Sequence, residues 1–323
     1  MPAETAPRIG PFQLGERLGV GGMAEVFVAS APDGSRLAVK RILPALARDR
    51  EFCDMFWDEA RITKSLEHPN VVRVYDYGRE DGDLYMALEY VDGPNLARVL
   101  RKAAREAVGA DVRAIVAIGS QLLAALDFVH DANGPNGRPL SIVHRDVSPG
   151  NVMLTRTGQL KLGDFGIVRS EVVARRTQPG ELKGKIGYMS PEQAAGGAVD
   201  ARSDLFSVGI ILAELLTLRP LFLGKNELET LSRTTHADLS TWHRFNQNVP
   251  LGLRAVVERA LSRSPDERYG SAREMRQAWH DAARIGRNEG GEREVVNWLT
   301  ALGMLESETN DRSGQRVIPG ARP

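Results

Sequence analysis

The sequence is poor in cysteine and has no net charge, and each shortage excludes a class of protein. Cys53 is the only cysteine, which rules out an internal disulfide and favours a reducing compartment. We expect its thiol to be buried and inert. The 42 basic residues balance the 42 acidic ones, so no overall field would hold the chain on nucleic acid or on an anionic bilayer. No nucleic-acid partner is therefore expected, and any other partner must be recognised locally.

Export and membrane signals are also missing from the sequence. Residues Met1 to Gly10 contain neither the basic nor the apolar region of a signal peptide. No segment approaches about 18 uninterrupted apolar residues, and the longest candidate, Val208 to Leu216, is interrupted by Glu214. These observations predict a cytoplasmic protein with no membrane span.

The pattern of apolar residues changes near Gly93. Before it, short apolar runs alternate with Gly- and Asp-rich turns, which is typical of an antiparallel sheet. One helical stretch, Asp49 to Leu66, interrupts these runs, and long helical stretches such as Asp111 to His130 follow Gly93. The predicted fold class is α+β, with a small antiparallel lobe carrying one helix and a larger, mainly helical lobe. The predicted strands are Phe12–Leu18, Val26–Ala29, Arg36–Ile42, Val71–Tyr77 and Leu84–Tyr90.

The length of the chain fits one two-lobed unit with short tails. Near the C-terminus, residues 292–304 are predicted to form a short amphipathic helix, whose Trp298 and Leu299 either pack on the rear of the large lobe or dock a partner. Residues 306–323 lack periodicity, which is typical of disorder. The predicted limits are a flexible tail over 1–10, one domain over 11–284 with lobes over 11–92 and 93–284, and a C-terminal tail over 285–323.

Two features of the small lobe could bind phosphate groups, and a third could position one of them. The segment Gly19 to Val26 is rich in glycine, so its backbone amides could approach phosphate oxygens without an obstructing Cβ; a plain glycine-rich hairpin explains it equally well. Lys40 ends a strand among apolar neighbours, where one cation can hold two phosphates, although an edge-strand lysine would look the same. Glu59 follows on the predicted helix and could either pair with Lys40 or face solvent.

Two motifs of the large lobe add groups for catalysis and metal binding. The segment His144 to Asn151 places the Asp146 carboxylate and the Asn151 carboxamide on one tight loop, where they could serve a hydroxyl and a metal ion. Asp164, in the sequence Asp-Phe-Gly, adds a second carboxylate able to bind metal. The five motifs are far more specific in this order than any one of them alone.

The ordered set resembles the catalytic domain of the bacterial eukaryotic-like, or Hanks-type, serine/threonine protein kinases, from about Phe12 to Trp279. The resemblance implies a two-lobed kinase fold and a non-specific serine/threonine protein kinase, which transfers the γ-phosphate of Mg·ATP to hydroxyls of protein substrates. Autophosphorylation of its own activation segment is implied as well, for which a transient dimer would suffice. The alternatives are a pseudokinase scaffold and an enzyme with tyrosine or dual specificity.

The resemblance also assigns roles at the phosphate end of the nucleotide. Gly19, Gly21 and Gly22 would cover the phosphates, while Lys40, oriented by Glu59, would contact the α- and β-phosphates. The third glycine of this family motif is Ala24 here, a change that stiffens the loop slightly.

At the reacting end, Asp146 would accept the proton of the substrate hydroxyl, and Asn151 and Asp164 would hold Mg²⁺, with Mn²⁺ as a substitute. The adenine would lie against a hinge and between apolar side chains. The resemblance assigns these positions to Glu89, Tyr90 and Val91 as the hinge, Leu88 as gatekeeper, and Leu18, Val26, Ala38 and Met153 around the ring.

The chain departs from the family at the acceptor end of the site. Ser148 occupies a position where serine/threonine kinases usually carry a lysine, and Lys185 stands where they usually carry a threonine. One hypothesis is that Lys185 reaches back to Asp146 and restores the missing cation. The alternative is that Lys185 is a surface lysine and Ser148 a silent loss. Either way the acceptor becomes less certain, although Pro149 still fits the serine/threonine pattern.

Regulation and structural support can be predicted from the same resemblance. In the family, the arginine at the position of Arg145 usually binds a phosphate carried by the activation segment. The best candidate for the phosphorylated residue is Thr177, followed by Ser170. Arg268 is expected to pair with Glu192, and Asp204 is expected to support the loop of Asp146. We predict structural roles for all three residues.

Overall fold

A six-stranded antiparallel sheet forms the small lobe in the computed structural model, which describes residues 7–134, 136–165 and 185–305. The strands lie in the order β1-β2-β3-β4-β6-β5, and every neighbouring pair is antiparallel. This agrees with the predicted small lobe. The strands are β1 (Arg8–Ile9), β2 (Phe12–Val20), β3 (Ala24–Ser30), β4 (Arg36–Ile42), β5 (Val74–Glu80) and β6 (Asp83–Glu89).

One helix, α1 (Arg50–Lys64), crosses the inner face of the sheet between β4 and β5. Its start is fixed by Asp49, whose side chain accepts a hydrogen bond from the backbone N–H of Phe52 at 3.2 Å. Phe52 and Phe56 are buried on its inner stripe, and Glu59 lies on the same stripe with only 7% of its surface exposed. Cys53 is buried as predicted, and its thiol donates to the carbonyl of Ala47 at 3.3 Å. The helix therefore directs a carboxylate toward the sheet.

The outer face of the sheet is covered by the start of the chain. Ile9 and Phe12 are buried there with Tyr85, and β1 pairs with β2 through Ile9 and Phe12. Residues 8 and 9 therefore belong to the sheet rather than to the predicted tail over 1–10. The predicted strand Val71–Tyr77 starts late, at Val74, because the N–H of Val72 donates to Leu162 in the large lobe at 2.8 Å.

The large lobe is mainly helical and is built around two buried helices. These are α3 (Val112–His130) and α5 (Ala201–Thr217), whose apolar side chains form one core with the surrounding elements. Two strands, β7 (Val152–Leu154) and β8 (Leu160–Leu162), form a short antiparallel hairpin. The remaining elements are α2 (Leu96–Glu106), α4 (Pro191–Ala194), α6 (Glu227–Thr235), α7 (Ser240–Phe245), α8 (Leu251–Ala260), a 3₁₀ turn (Pro265–Glu267), α9 (Ala272–Ile285) and α10 (Glu292–Ala301).

Helix α3 is the one helix in the described ranges that is long and apolar enough to cross a membrane by length and composition. The sequence pattern instead indicated Val208 to Leu216 as the nearest candidate, which lies within α5. In α3, 61% of the apolar window is buried inside the fold. Because its apolar side chains pack within the large lobe, the composition of α3 is that of a core helix.

The C-terminal helix α10 packs against α3. Val295 and Leu299 are fully buried, and the indole N–H of Trp298 donates to the carbonyl of Val108 at 3.3 Å. Just before α10 the chain passes close to the backbone of Arg113. A Cβ on Gly290 would overlap the carbonyl of Arg113. Of the two interpretations of this helix, the structure favours packing on the large lobe. It ends at Ala301, three residues before the predicted limit.

Candidate active site

The inner face of the small-lobe sheet forms the roof of a cleft between the lobes. Residues directly opposite each other on antiparallel strands present their side chains on the same face. Val26 is opposite Lys40, and Ala38 is opposite Leu88. Ala38 and Lys40 are two positions apart on β4 and so share this face. The apolar residues Val26, Ala38 and Leu88 therefore lie on the same face of the sheet as Lys40.

The turn between β2 and β3 lies at the mouth of this cleft. It closes through the N–H of Gly21, which donates to the carbonyl of Ala24 at 2.8 Å, and Gly22 lies in the same turn. A Cβ on Gly19 would meet no atom within 4 Å, and half of the surface of Leu18 is exposed. The backbone of the turn is therefore open to a ligand lying beneath it.

Lys40 joins the two lobes through an ion pair with Asp164. The Lys40 Nζ and Asp164 Oδ1 atoms lie 2.6 Å apart. Burial by itself would lower the pKa of Lys40, but the charges of Asp164 and Glu59 outweigh it and raise the pKa above its ordinary value. Lys40 in turn lowers the pKa of Asp164. Lys40 therefore stays protonated and Asp164 ionised at neutral pH.

The loop before β7 places Asp146 beside Asn151. The Asn151 Nδ2 atom donates to the backbone carbonyl of Asp146 at 2.8 Å and to its Oδ2 at 3.0 Å. His144 is fully buried beneath them; its Nδ1 accepts from the N–H of Asp146 at 3.3 Å, and its Nε2 contacts the carbonyl of Gly163 at 3.2 Å. Burial lowers the pKa of His144, so a neutral ring can make both bonds. These bonds hold the carboxylate in one place.

Asp204 of α5 anchors the same loop to the core. Its carboxylate accepts from the N–H groups of His144 and Arg145, each at 2.8 Å, and contacts His130 Nε2 at 2.8 Å. Arg145 adopts a left-handed backbone with φ of 64°, an uncommon conformation for a residue of this size. The predicted supporting role of Asp204 is consistent with these contacts.

Lys185 contacts Asp146, and Ser148 follows Asp146 by two residues on the same loop. The Lys185 Nζ atom is 3.4 Å from Oδ2 of Asp146, and 38% of the Lys185 side chain is exposed. Ser148 is buried, with 7% of its surface exposed. The lysine therefore reaches the carboxylate from the segment before α4 and not from the loop that carries Asp146.

The hinge and the hairpin form the back and the floor of the cleft. Glu89 ends β6, and its carboxylate pairs with Lys161 of β8 at 2.7 Å. Tyr90 follows under the guanidinium of Arg36, and Val91 is buried. Met153 of β7 forms an isolated bridge with Asn95, just beyond the hinge. The Glu89 side chain is thus engaged in the protein, and its backbone N–H donates to the carbonyl of Arg73 at 2.8 Å.

Two oxygen donors at the site fit a divalent cation. Asn151 and Asp164 both lie beside Asp146, and the Asn151 amide reaches the backbone carbonyl of Asp164 at 3.5 Å. Across the residues that the structure describes, no group of three or more His, Cys, Asp or Glu side chains could hold a metal. A site with one carboxylate and one carboxamide suits a hard cation that also takes oxygens from a phosphorylated ligand.

A buried ion pair fastens the start of α4 to the large lobe, as predicted. Arg268 contacts both carboxylate oxygens of Glu192, at 2.7 and 2.8 Å, and its side chain is fully buried. Burial alone would raise the pKa of Glu192, but the bonds from Arg268 and Ser203 lower it to about 2. Gln193 donates to the carbonyl of Arg145 at 3.0 Å, which ties this helix to the loop of Asp146.

Sequence and structure comparisons identify the family. A family model described as "Protein kinase domain" matches residues 12–280. The chain belongs to the protein kinase family. The site described above lies inside the matched residues, whereas α10 lies outside them.

Relatives of this kinase domain differ in their named specificity. It is 40% identical to the probable serine/threonine-protein kinase SCO3848 of Streptomyces coelicolor over 83% of the chain. It is 37% identical to the serine/threonine-protein kinase PknB of Mycobacterium tuberculosis over 95%, and 37% identical to the tyrosine-protein kinase MasK of Myxococcus xanthus over 81%. The chain spans 39%, 48% and 41% of these three proteins, respectively.

Solved structures match the kinase domain over most of its length. One crystal structure of the M. tuberculosis PknI kinase domain superimposes with a TM-score of 0.67 and 29% sequence identity. The match covers 87% of this chain and 99% of that one. Both lobes are therefore those of a protein kinase.

Several residues that hold the kinase site together were missed by the sequence analysis. Lys161 lies between Leu160 and Leu162. A charged residue inside a short apolar run indicates a buried ion-pair partner, which the structure shows to be Glu89. Gln193 and His130 gave no such signal, because their partners are distant in sequence. The predicted phosphorylation sites, Thr177 and Ser170, lie outside the described residues.

Glu214 of α5 is a buried acid that the sequence analysis treated only as a break in an apolar run. Its carboxyl group contacts the hydroxyl of Tyr188 at 2.5 Å and accepts from the N–H of Leu221 at 3.0 Å. Burial raises its pKa to about 7. In the protonated state its carbonyl oxygen accepts from Leu221 while its hydroxyl donates to Tyr188. A glutamine can make both bonds without ionising.

We expect Glu214→Gln to stabilise the kinase domain at alkaline pH and to leave its stability nearly unchanged at acidic pH. An acid with a raised folded-state pKa takes up a proton on folding, so wild-type stability falls as pH rises from 4.5 to about 7. The variant escapes this loss, which amounts to about 3 kcal/mol. Urea unfolding of both proteins below pH 4.5 and above pH 7 measures the difference. A difference that does not change with pH would contradict the prediction.

Proposed function

We propose that this chain is an active protein kinase that transfers the γ-phosphate of ATP to serine or threonine hydroxyls of protein substrates. The observation that carries the proposal is the convergence of Lys40, Asp146, Asn151 and Asp164 at one cleft, with contacts between 2.6 and 3.5 Å. Two relatives named serine/threonine kinases support the acceptor class.

In the proposed reaction, the oxygen of the substrate hydroxyl forms a bond to the γ-phosphorus. The bond from that phosphorus to the oxygen bridging to the β-phosphate breaks, and ADP leaves with its electron pair. Asp146 accepts the hydroxyl proton and, fixed by Asn151, aligns the hydroxyl for attack. Lys40 holds phosphate oxygens in place. Catalysis therefore depends on positioning and on fixed charges.

Asn151 and Asp164 would hold Mg²⁺, or Mn²⁺ in its place. When bound, the cation supplies positive charge that offsets the charge of the phosphate oxygens. Asp164 is suited to this role because Lys40 keeps it ionised. The adenine would lie on Met153 beneath Leu18, Val26 and Ala38, and would bond to the backbone of Glu89 and Val91; these assignments belong to the proposal.

A phosphate on Thr177 or Ser170 would act through Arg145, whose backbone is fixed by Asp204. We further propose that the folded unit runs from residue 8 to residue 305, because β1 and α10 are both packed on the domain. A cytoplasmic location is part of the same proposal.

The test is phosphate transfer from γ-labelled ATP to a generic basic protein in the presence of Mg²⁺. We expect wild-type protein to label the substrate and Asp146→Asn to lower the rate on the order of 100-fold, since the variant cannot take the proton. The matched control is Asp76→Asn, which removes a carboxylate paired with Lys64 outside the cleft. Equal labelling by wild type and Asp146→Asn would overturn the proposal and favour a pseudokinase.

A second candidate is a tyrosine acceptor, which is favoured by the similarity to MasK and by the serine at position 148. Acid hydrolysis of the labelled protein distinguishes the two, because phosphotyrosine separates from phosphoserine and phosphothreonine. Label found only in phosphotyrosine would support the second candidate.

A further inference from the structure

A second cation contacts the acceptor end of the site. Lys40 approaches Asp164 from the roof, whereas Lys185 approaches Asp146 from the segment that precedes α4. The two carboxylates proposed for proton transfer and metal binding are therefore flanked by lysines from opposite sides of the cleft.

Lys185 and Asn151 donate to the same oxygen of Asp146. Both contact Oδ2, at 3.4 Å and 3.0 Å respectively. Two donors on one oxygen restrict the rotation of the carboxylate more than one donor does. Ser148, two residues after Asp146, has a short neutral side chain and cannot supply a charge.

The backbone that carries Lys185 is fastened to the large lobe. The carbonyl of Ile186 accepts from the hydroxyl of Thr234 in α6 at 3.3 Å, and the carbonyl of Tyr188 accepts from Ser207 in α5 at 2.8 Å. The N–H of Tyr188 donates back to the carbonyl of Lys185 at 3.1 Å. These bonds hold the backbone beside Lys185 on the large lobe, and Lys185 reaches Asp146 from that position.

We propose that Lys185 is a positioning residue of this kinase: it orients Asp146 and supplies the positive charge that the acceptor end lacks at Ser148. The inference rests on the proposed function. Under this proposal, the orientation of Asp146 depends on the packing of the segment before α4 against the large lobe. Substrate alignment is therefore coupled to the order of that segment.

The experiment compares Lys185→Met with a matched lysine outside the site. Lys102 pairs with Glu106 at 3.6 Å and its side chain is 29% exposed, close to the 3.4 Å and 38% of Lys185. We expect Lys185→Met to lower kcat on the order of 100-fold, with KM for ATP and the melting temperature close to wild type. Lys102→Met should leave kcat unchanged.

Charge restoration distinguishes a cation from a merely structural side chain. We expect Lys185→Arg, and Ser148→Lys introduced into Lys185→Met, to recover at least about a tenth of the wild-type kcat, because each returns a positive charge to Asp146. Recovery by at least one of them supports the proposal. Recovery by neither overturns it.

Two further outcomes separate this inference from the proposed function. Wild-type protein without transfer activity would remove the proposed function, and the inference with it. Active wild type, inactive Asp146→Asn and a Lys185→Met variant as active as Lys102→Met would remove the inference alone. A loss in Lys185→Met that follows the melting temperature would also overturn it.

Discussion

Replacing Asp164 with asparagine should abolish nearly all phosphate transfer, with kcat lower on the order of 1,000-fold. Asp164 has two roles in the proposed site, as the partner of Lys40 at 2.6 Å and as the carboxylate that would hold the cation. Asparagine keeps the shape of the side chain but loses the charge needed for both. The backbone at position 164 is left-handed, with φ of 51°. Asparagine adopts this conformation readily, so the fold should survive.

The measurement for Asp164→Asn is steady-state transfer together with nucleotide affinity at several Mg²⁺ concentrations. We expect the wild-type affinity for ATP to rise with Mg²⁺ and that of the variant to respond much less, because one of the two proposed ligands is weakened. Asp76→Asn is again the control, since it breaks a lysine–aspartate pair on the surface. A variant within tenfold of wild-type kcat would contradict the role of Asp164.

Removing the Arg268 guanidinium is expected to have the largest effect on stability. Arg268→Ala should lower the free energy of unfolding by about 4 kcal/mol, because it leaves the Glu192 carboxylate without its bidentate partner. The variant also loses bonds from Arg268 to the carbonyls of Ser262 and Arg263. A lysine in its place would keep a charge but not the planar fork, so Arg268→Lys should recover only part of the loss.

Urea unfolding at neutral pH measures this effect. Arg273→Ala is the matched control, because Arg273 pairs with Asp131 at 2.7 Å while both side chains are mostly exposed. We expect a much smaller change there. If the two arginine variants lost the same stability, the burial of the Arg268 pair would not be what makes it strong.

The sequence predicted the two lobes, and the side chains that meet in the cleft, because both depend on local signals. A short apolar run defines β4, whose bounds were predicted correctly, and the predicted helical stretch from Asp49 to Leu66 contains α1. The order of the motifs predicted that Lys40, Asp146 and Asp164 would meet at one cleft, where their contacts now lie. Local periodicity and motif order were therefore sufficient to predict the two lobes and the meeting of these three side chains.

Pairs of residues that are far apart in the sequence were much harder to predict. Glu89 and Lys161 are 72 residues apart, and no local pattern indicates that one neutralises the other. Glu214 interrupts an apolar run, but its raised pKa depends on how deeply α5 is covered by other elements. Strand β1 was missed because two residues carry too little periodicity to be recognised. Predicting which side chains pair, and how deeply they are buried, therefore requires the tertiary structure.

The contacts of Asp204 have a consequence for the motions of the site. The amide protons of His144 and Arg145 are held by a carboxylate whose helix, α5, lies in the middle of the large-lobe core. Such protons exchange with water only when the core itself opens. The loop that carries Asp146 thus belongs to the slowest-exchanging cooperative unit of the molecule, and its geometry should persist until that unit unfolds.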